Sequence, residues 1–173
     1  DASILPARAA GTAAADDLIL INAKTASAVS LGNVTTITGL RTELATLYAA
    51  NGSTVTGLGN EAITVDDSVT AAQANTIDGY TSGAVTATIS TTAIADLDDL
   101  TGTGNAYTIT VADAQVTAAA LNTVNAATTV NVTANAVTTI TGTAAQLATT
   151  YGGGITGLGD EAVTISDTTV DAA

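Results

Sequence analysis

The feature that most constrains this chain is an internal repeat with a long period. Residues 33–39 return at 136–142, an offset of 103 positions, and residues 56–65 (TGLGNEAITV) return at 156–165 (TGLGDEAVTI), an offset of 100. A repeat of this kind predicts stacked copies of one structural motif rather than a single irregular core. Each copy is too short to bury an apolar face alone, so it must pack against its neighbours.

A shorter repeat lies inside the long one, since residues 63–77 resemble residues 109–124. Each copy begins with apolar residues that alternate with Thr or Asn, which is typical of a strand with one buried face. It continues with apolar residues at three-to-four spacing, which indicates a helix of two to three turns. The strand pattern occurs at 63–65, 85–89, 107–111, 130–132 and 163–165, and the helix pattern begins near 40, 68, 92, 114, 143 and 169.

These starts predict coils of about 22 to 29 residues, a length like that of leucine-rich repeats. Strands that are separated by a helix pair in parallel. We therefore predict an α/β repeat solenoid that forms a single domain over residues 13–173, with residues 1–12 as an N-terminal linker or docking segment. The alternative is an all-β solenoid, but Ala-rich runs such as residues 116–127 favour helices.

Composition excludes several functional classes. The chain has 16 acidic and 3 basic residues, a net charge of −13, and its cations are Arg8, Lys24 and Arg41, so a surface for nucleic acid is not expected. His, Cys and Met are absent, which removes histidine acid–base catalysis, thiol chemistry and ordinary zinc or haem sites. We predict that the chain is not an enzyme and has no catalytic, cofactor-binding or metal residues.

Acidic residues gather near the predicted strand-to-helix turns and just ahead of one strand: Asp66, Asp67, Asp113, Asp167, Asp160 and Glu161. Carboxylates at such positions either bind calcium or cap helices by accepting hydrogen bonds from free amides. We favour helix capping, and calcium is the one cofactor kept as an alternative. The cluster of Asp96, Asp98 and Asp99 is interpreted as the solvated face of a helix.

Outward strand positions carry a polar residue about once per coil: Ser30, Thr64, Thr88, Thr110, Asn131 and Thr164. A row of hydroxyl groups on a flat face is one way to bind ice or a glycan. Thr is also favoured at exposed strand positions for its propensity alone, and Asn131 interrupts the row. An adhesive, glycan-binding or ice-binding module, with calcium support, is therefore the alternative function.

Three motifs resemble those of a known class of protein. They are residues 100–111 (LTGTGNAYTITV), 119–124 (AALNTV) and 157–167 (GLGDEAVTISD). They resemble the Ala/Thr/Val-rich repeat arrays of very large bacterial cell-surface or secreted proteins, particularly cyanobacterial ones, and the resemblance covers about residues 13–173. It implies an extracellular structural or adhesive array.

Both ends of the repeat are expected to be open. Residues 13–39 align without a gap onto 116–142, so the chain enters the repeat within a helix, and residues 169–173 leave it near the start of another helix. A solenoid normally needs polar caps over its terminal coils. We therefore predict either an excerpt of a longer array or head-to-tail contact between copies through residues 1–22 and 161–173.

Location follows from composition and from apolar run length. The longest apolar run, residues 18–21, is far shorter than the roughly 20 residues that span a bilayer, so no membrane insertion is expected. Absence of Cys together with 36 Thr residues and few cations favours an extracellular or cell-surface location. The favoured function is a non-catalytic structural repeat module of an extracellular surface protein, or a self-stacking filament subunit, whose partners are copies of itself or adjacent repeats.

Overall fold

The computed structural model describes residues 11–168. The predicted N-terminal segment 1–12 therefore lies outside the described residues, apart from residues 11 and 12. The helix expected near residue 169 also lies outside them. The chain divides into two compact units, and each is described by itself. The amino-terminal unit takes residues up to 68 and 76–87, and the carboxy-terminal unit takes 69–75 and the residues from 88 onward.

The described residues form short helices and short strands in alternation. The helices are α1 Ala15–Lys24, α2 Arg41–Ala49, α3 Ala71–Asp78, α4 Ile94–Leu97, α5 Ala118–Ala126 and α6 Ala144–Tyr151. The strands are β1 Thr12–Ala14, β2 Val29–Ser30, β3 Thr36–Gly39, β4 Val55–Thr56, β5 Ala62–Val65, β6 Val85–Thr88, β7 Ala106–Thr108, β8 Gln115–Thr117, β9 Val132–Thr133, β10 Thr139–Gly142, β11 Ile155–Thr156 and β12 Ala162–Ile165.

The main sheet of the amino-terminal unit is parallel and runs in the order β1-β3-β5-β6. Thr12 pairs with Thr36, and Thr36 pairs with Ala62 in turn. Parallel neighbours need a crossover, which α1 and α2 provide between the first three strands. The mixed α/β class with parallel sheets and short helices is thus confirmed, and the helices rule out the all-β alternative.

The carboxy-terminal unit repeats this arrangement in the parallel order β8-β10-β12. Thr139 of β10 pairs with Gln115 on one side and with Ala162 on the other. Each unit also contains a separate pair of two-residue parallel strands, β2 with β4 and β9 with β11. The sequence patterns predicted strands at β5, β6, β7 and β12 and at the first residue of β9. They did not predict β3, β8 or β10, nor the two-residue strands β4 and β11, which are too short to show an alternation.

The alternating apolar residues of the strands form the core. Ile63, Val85, Tyr107 and Ile109 are fully buried, as the period-two pattern predicted. The predicted alternation is wrong at Val130, which precedes β9 and is 39% exposed. The alternation also predicted buried side chains at Val163 and Ile165 of β12, but both are about half exposed. The reason is that β12 has no strand on its outer side within residues 11–168.

Helix boundaries differ from the predicted ones where the chain stays extended longer. Helices α2 and α6 begin within one residue of the predicted starts, whereas α3 and α5 begin three to four residues late. Val116 was expected in a helix but lies in β8, where it is buried and pairs with Ile140. Helix α4 is only four residues long, shorter than the predicted two to three turns.

The repeated TITG motif has a steric explanation. A Cβ atom on Gly39 would lie 2.9 Å from the Cβ of Ala15, and one on Gly142 would lie 2.7 Å from the Cβ of Ala118. Both alanines are the fully buried first residues of their helices. The end of each strand therefore packs directly on the start of the preceding helix, and only a Gly–Ala pair allows that approach.

Candidate functional site

The polar groups that converge most closely are produced by the long repeat and occur twice. We call Tyr48 with residues 57–61 the first Tyr–Glu turn, and Tyr151 with residues 157–161 the second Tyr–Glu turn. In both, a tyrosine from the end of a helix donates its hydroxyl to a glutamate that immediately precedes a strand. The two turns use the matching segments GLGNE and GLGDE.

In the first Tyr–Glu turn the carboxylate is fully enclosed. Glu61 is 1% exposed, and one of its oxygens accepts the hydroxyl of Tyr48. The other accepts the amides of Gly59 at 2.9 Å and Asn60 at 3.1 Å. Burying a carboxylate costs several kcal/mol unless donors replace its lost water, and these three donors do so.

The segment that follows in the chain closes the first Tyr–Glu turn. The ring of Tyr80 stacks on the ring of Tyr48, with centroids 4.8 Å apart and planes inclined by 12°. The Thr81 hydroxyl donates to the Glu61 carbonyl at 2.6 Å. Gly83 passes so close that a Cβ atom there would overlap the Glu61 carbonyl and lie 2.9 Å from the Ala62 nitrogen.

The surroundings of Tyr48 disfavour ionisation of its hydroxyl. Its burial, followed by the hydrogen bond to Glu61 and the negative charge of that carboxylate, raises the pKa of Tyr48 far above its usual range. The phenol therefore stays protonated and keeps donating to Glu61 at any ordinary pH. The pair holds the turn together.

The second Tyr–Glu turn has the same bonds but faces solvent. Tyr151 donates to Glu161, and the Gly159 amide donates to the same carboxylate at 2.7 Å. Tyr151 is 45% exposed, whereas Tyr48 is 9% exposed. Partial burial, then the hydrogen bond and charge of Glu161, raises the pKa of Tyr151 to about 12. Burial acts to raise the pKa of Glu161, but the hydrogen bonds from Tyr151 and backbone amides outweigh it and lower that pKa.

The acidic residues at the strand ends cap helices, as predicted, but not the helices that follow them. The Asp67 carboxylate accepts the amide of Arg41 at 2.7 Å, and that of Asp113 accepts the amide of Ile94 at 2.7 Å. Asp167 accepts the amide of Ala144 at 2.6 Å. Arg41, Ile94 and Ala144 are the first residues of α2, α4 and α6, so each carboxylate ties a strand end to the helix before it.

The other acidic residues take different places. Asp66 is exposed beside Asp67, and Asp160 is exposed in the second Tyr–Glu turn. Asp96, Asp98 and Asp99 are exposed in and after α4, as expected of a solvated helix face. Within residues 11–168 no three Asp or Glu side chains converge into a group that would hold a metal ion. Calcium binding was the alternative to capping, and it stays untested.

The predicted single row of hydroxyl groups is wrong, because its members belong to different sheets. Ser30 lies in β2 and pairs with Thr56 of β4, whereas Thr64 lies in β5 between Thr38 and Thr86. The remaining members are similarly divided: Thr88 ends β6, Thr110 bridges to Thr133, Asn131 precedes β9, and Thr164 lies in β12 beside Thr141.

Sequence reasoning missed the Tyr–Glu turns. It counted Glu161 among several carboxylates near turns and gave Glu61 no role. The available signal was the recurrence of both partners, since Tyr48 returns as Tyr151 and Glu61 as Glu161. A buried glutamate needs donors, so a repeated glutamate beside a repeated tyrosine indicates such a pair.

Comparison with known proteins finds no relative. No protein-family model, no curated protein and no solved structure matches this chain. Among the described residues, no helix is both long enough and apolar enough to cross a membrane.

Proposed function

We propose that this chain is a non-catalytic structural repeat module, an α/β solenoid of leucine-rich-repeat-like coils of about 22 to 29 residues. It serves an extracellular surface protein, either within a longer array or as a self-stacking filament subunit. Its partners are copies of itself or adjacent repeats, joined end to end.

The observation that carries this proposal is that the well-placed polar groups bind other segments of the same chain. Asp67, Asp113 and Asp167 hold the first amides of preceding helices, and Glu61 is enclosed by amides and tyrosines. Asn75 joins its neighbour in the same way, donating to the Asp99 carbonyl at 2.9 Å and accepting the Thr101 amide at 3.1 Å. Such bonds between successive segments are what a repeat array needs for stability.

The proposal is supported further by composition and by resemblance. The motifs at 100–111, 119–124 and 157–167 resemble those of large bacterial surface arrays, and the chain lacks the usual catalytic side chains His and Cys. Its net charge of −13 makes molecules repel one another, which disfavours side-by-side aggregation at low salt. This repulsion opposes contact between two apolar ends less strongly.

Two measurements on the purified full chain test the proposal. A compact chain of this length has a radius of gyration of about 16 Å. Small-angle scattering of the monomer should give a clearly larger value, because a solenoid is elongated. Electron microscopy with light-scattering mass, with and without calcium, should show head-to-tail filaments. A compact monomer would contradict the solenoid, and a uniform elongated monomer in both conditions would remove the filament form.

A second candidate function rests on the observed threonine rows. Thr38, Thr64 and Thr86 lie side by side on three neighbouring strands of the amino-terminal unit. Neighbouring strands are about 4.8 Å apart, so the row presents hydroxyl groups at a regular spacing suited to ice or glycan. The module then acts as an adhesive monomer. Absence of thermal hysteresis and of binding on a glycan array would eliminate this alternative.

A further inference from the structure

Within residues 11–168 the outer edge of β12 has no strand beside it, and it exposes apolar side chains. Val163 and Ile165 are 47% and 50% exposed. The Ala162 amide donates to the Thr138 carbonyl of the preceding segment at 2.9 Å. Since successive residues of a parallel strand direct their backbone groups to opposite sides, the amides of Val163 and Ile165 face away from β10.

The first copy of the repeat contains the same edge in its covered form. Strand β5 corresponds to β12, and its outer side is paired by β6, with Ile63 opposite Val85. The Ile63 amide donates to the Ala84 carbonyl at 3.0 Å. Pairing leaves Ile63 fully buried, whereas the corresponding Val163 is half exposed. What covers a β12-type edge is therefore a parallel strand in the register of β6.

Strand β1 has the properties that this position requires. It has β3 on one side and no other strand beside it within residues 11–168. The Gly11 carbonyl accepts the Thr36 amide at 2.7 Å, so by the alternation of parallel strands Thr12 and Ala14 direct their backbone groups to the free side. Thr12 and Ala14 therefore occupy the same register positions as Ala84 and Thr86, the residues that flank Val85 in β6.

The residues that enter the two strands also correspond. Across the sheet, Ala13 is in line with Ile37, Ile63 and Val85, so Gly11 is in line with Gly83. Gly83 is the residue that leaves no space for a side chain against the Glu61 carbonyl. A β1 edge placed on β12 brings Gly11 to the Glu161 carbonyl, where the absence of a side chain is again required.

We infer that the β12 edge of one molecule binds the β1 edge of a second copy, in parallel, with Val163 opposite Ala13. The inference rests on the self-stacking form of the proposed function and names the two surfaces that carry it. The Val163 amide donates to the Thr12 carbonyl, and the Ala14 amide donates to the Val163 carbonyl. The contact is heterologous, so each molecule binds one neighbour through its β12 edge and another through its β1 edge.

The test uses sedimentation of the full chain and of single variants over a concentration series. Val163→Lys places a charge on the β12 edge. Ala14→Pro removes the outward amide of β1, and the Ala14 φ of −84° lies close to the angle that proline adopts. Val130→Lys is the matched control, because Val130 is also an exposed valine but belongs to neither edge. Urea unfolding of every variant establishes that it is folded.

We expect the unmodified chain and Val130→Lys to associate, more tightly at about 1 M salt than at about 0.1 M, since salt screens the repulsion between acidic chains. Each edge variant alone should associate at least about tenfold more weakly. An equimolar mixture of Val163→Lys and Ala14→Pro should form a dimer of two 16.7 kDa chains, because each variant retains the edge that the other lacks.

Three outcomes would overturn the inference. If both edge variants associate as tightly as the unmodified chain, copies stack through other surfaces, and the filament proposal survives without this interface. If the mixture stays monomeric while the unmodified chain associates, the contact is not of β1 with β12. An unmodified chain that is monomeric throughout overturns both this inference and the self-stacking form of the function.

Discussion

The two Tyr–Glu turns contain the same hydrogen bonds in different surroundings. Glu61 is buried, with Tyr80 stacked on its partner Tyr48 and Gly83 against its carbonyl, whereas in the second turn Tyr151 is nearly half exposed. A hydrogen bond to a charge is stronger where water is excluded, and losing a partner there leaves an uncompensated charge. The comparison therefore indicates that the neighbouring segment, and not the GLG[ND]E motif, determines how much each turn contributes to stability.

The largest difference is expected when each carboxylate is replaced by an amide. Glu61→Gln should lower the free energy of unfolding by about 2–4 kcal/mol, because the amide NH₂ opposes the donors that surround Glu61. Glu161→Gln should lower it by less than about 1 kcal/mol, since water replaces the lost partner. Urea unfolding of both variants measures this. Equal losses would contradict the assigned role of burial.

The next effect concerns the glycine that closes the first turn. Gly83→Ala should destabilise the chain by about 1–3 kcal/mol, because its Cβ overlaps the backbone of Glu61. Gly32→Ala is the control, since a Cβ there meets nothing within 4 Å and should leave stability unchanged or slightly raised. Thermal unfolding compares the two. A neutral Gly83→Ala would mean that the segment is free to move away from Glu61.

A smaller effect is expected from the strand-end carboxylates. Asp67→Ala should cost about 1 kcal/mol, because the Arg41 amide at the start of α2 loses its partner. Asp167→Ala should cost only a few tenths, since Asp167 is exposed and water reaches the Ala144 amide. Asp66→Ala, at an exposed position beside Asp67 and outside any helix, serves as the reference in the same urea series. Equal losses for Asp67 and Asp167 would count against the comparison.

The smallest effect is the pH dependence of the second turn. The pKa of Glu161 is lowered on folding, so its contribution is present above the usual glutamate value of about 4.3 and is lost as pH falls through the lowered pKa. The pKa of Tyr151 is raised to about 12, so its contribution is present below about 10 and is lost as pH rises toward 12. Phenolate absorbance should show Tyr151 titrating in the folded chain and Tyr48 ionising only on unfolding.

Two variants check this assignment. Tyr151→Phe should remove the titration near pH 12 and leave the fold intact, and Glu161→Gln should lower the apparent pKa of Tyr151 toward its usual value. The loss of stability between about pH 5 and pH 3 should also be smaller in Glu161→Gln than in the unmodified chain. A Tyr151 pKa that Glu161→Gln leaves unchanged would show that the charge of Glu161 does not contribute to the shift.

Much of the fold was predictable because it is local and periodic. The alternation at Ile63 and Val65 predicted a strand, and the spacing of Leu40, Leu44 and Leu47 predicted the helix that forms α2. Parallel pairing followed because a helix separates successive strands. The exact helix starts did not follow, since Val116 fits either pattern and is placed in β8 only by its pairing with Ile140.

The candidate site was predictable only in part. Helix capping by Asp67, Asp113 and Asp167 was expected from residue type and from position near a helix start. The capped helix was not, because the preceding helix comes within reach only when two strands pair. The prediction of a single row of hydroxyl groups was wrong for a related reason. A spacing of one polar residue per coil does not specify which sheet that residue belongs to.

The sequence by itself determined the α/β class, the parallel pairing and the repetition, because these follow from residue spacing and from chain connectivity. Tertiary structure alone decided which of two matching segments is buried. Glu61 and Glu161 occupy the same motif, yet Tyr80 and Gly83 cover only the first. Burial depends on what packs against a segment, and residue spacing within that segment carries no information about its neighbour.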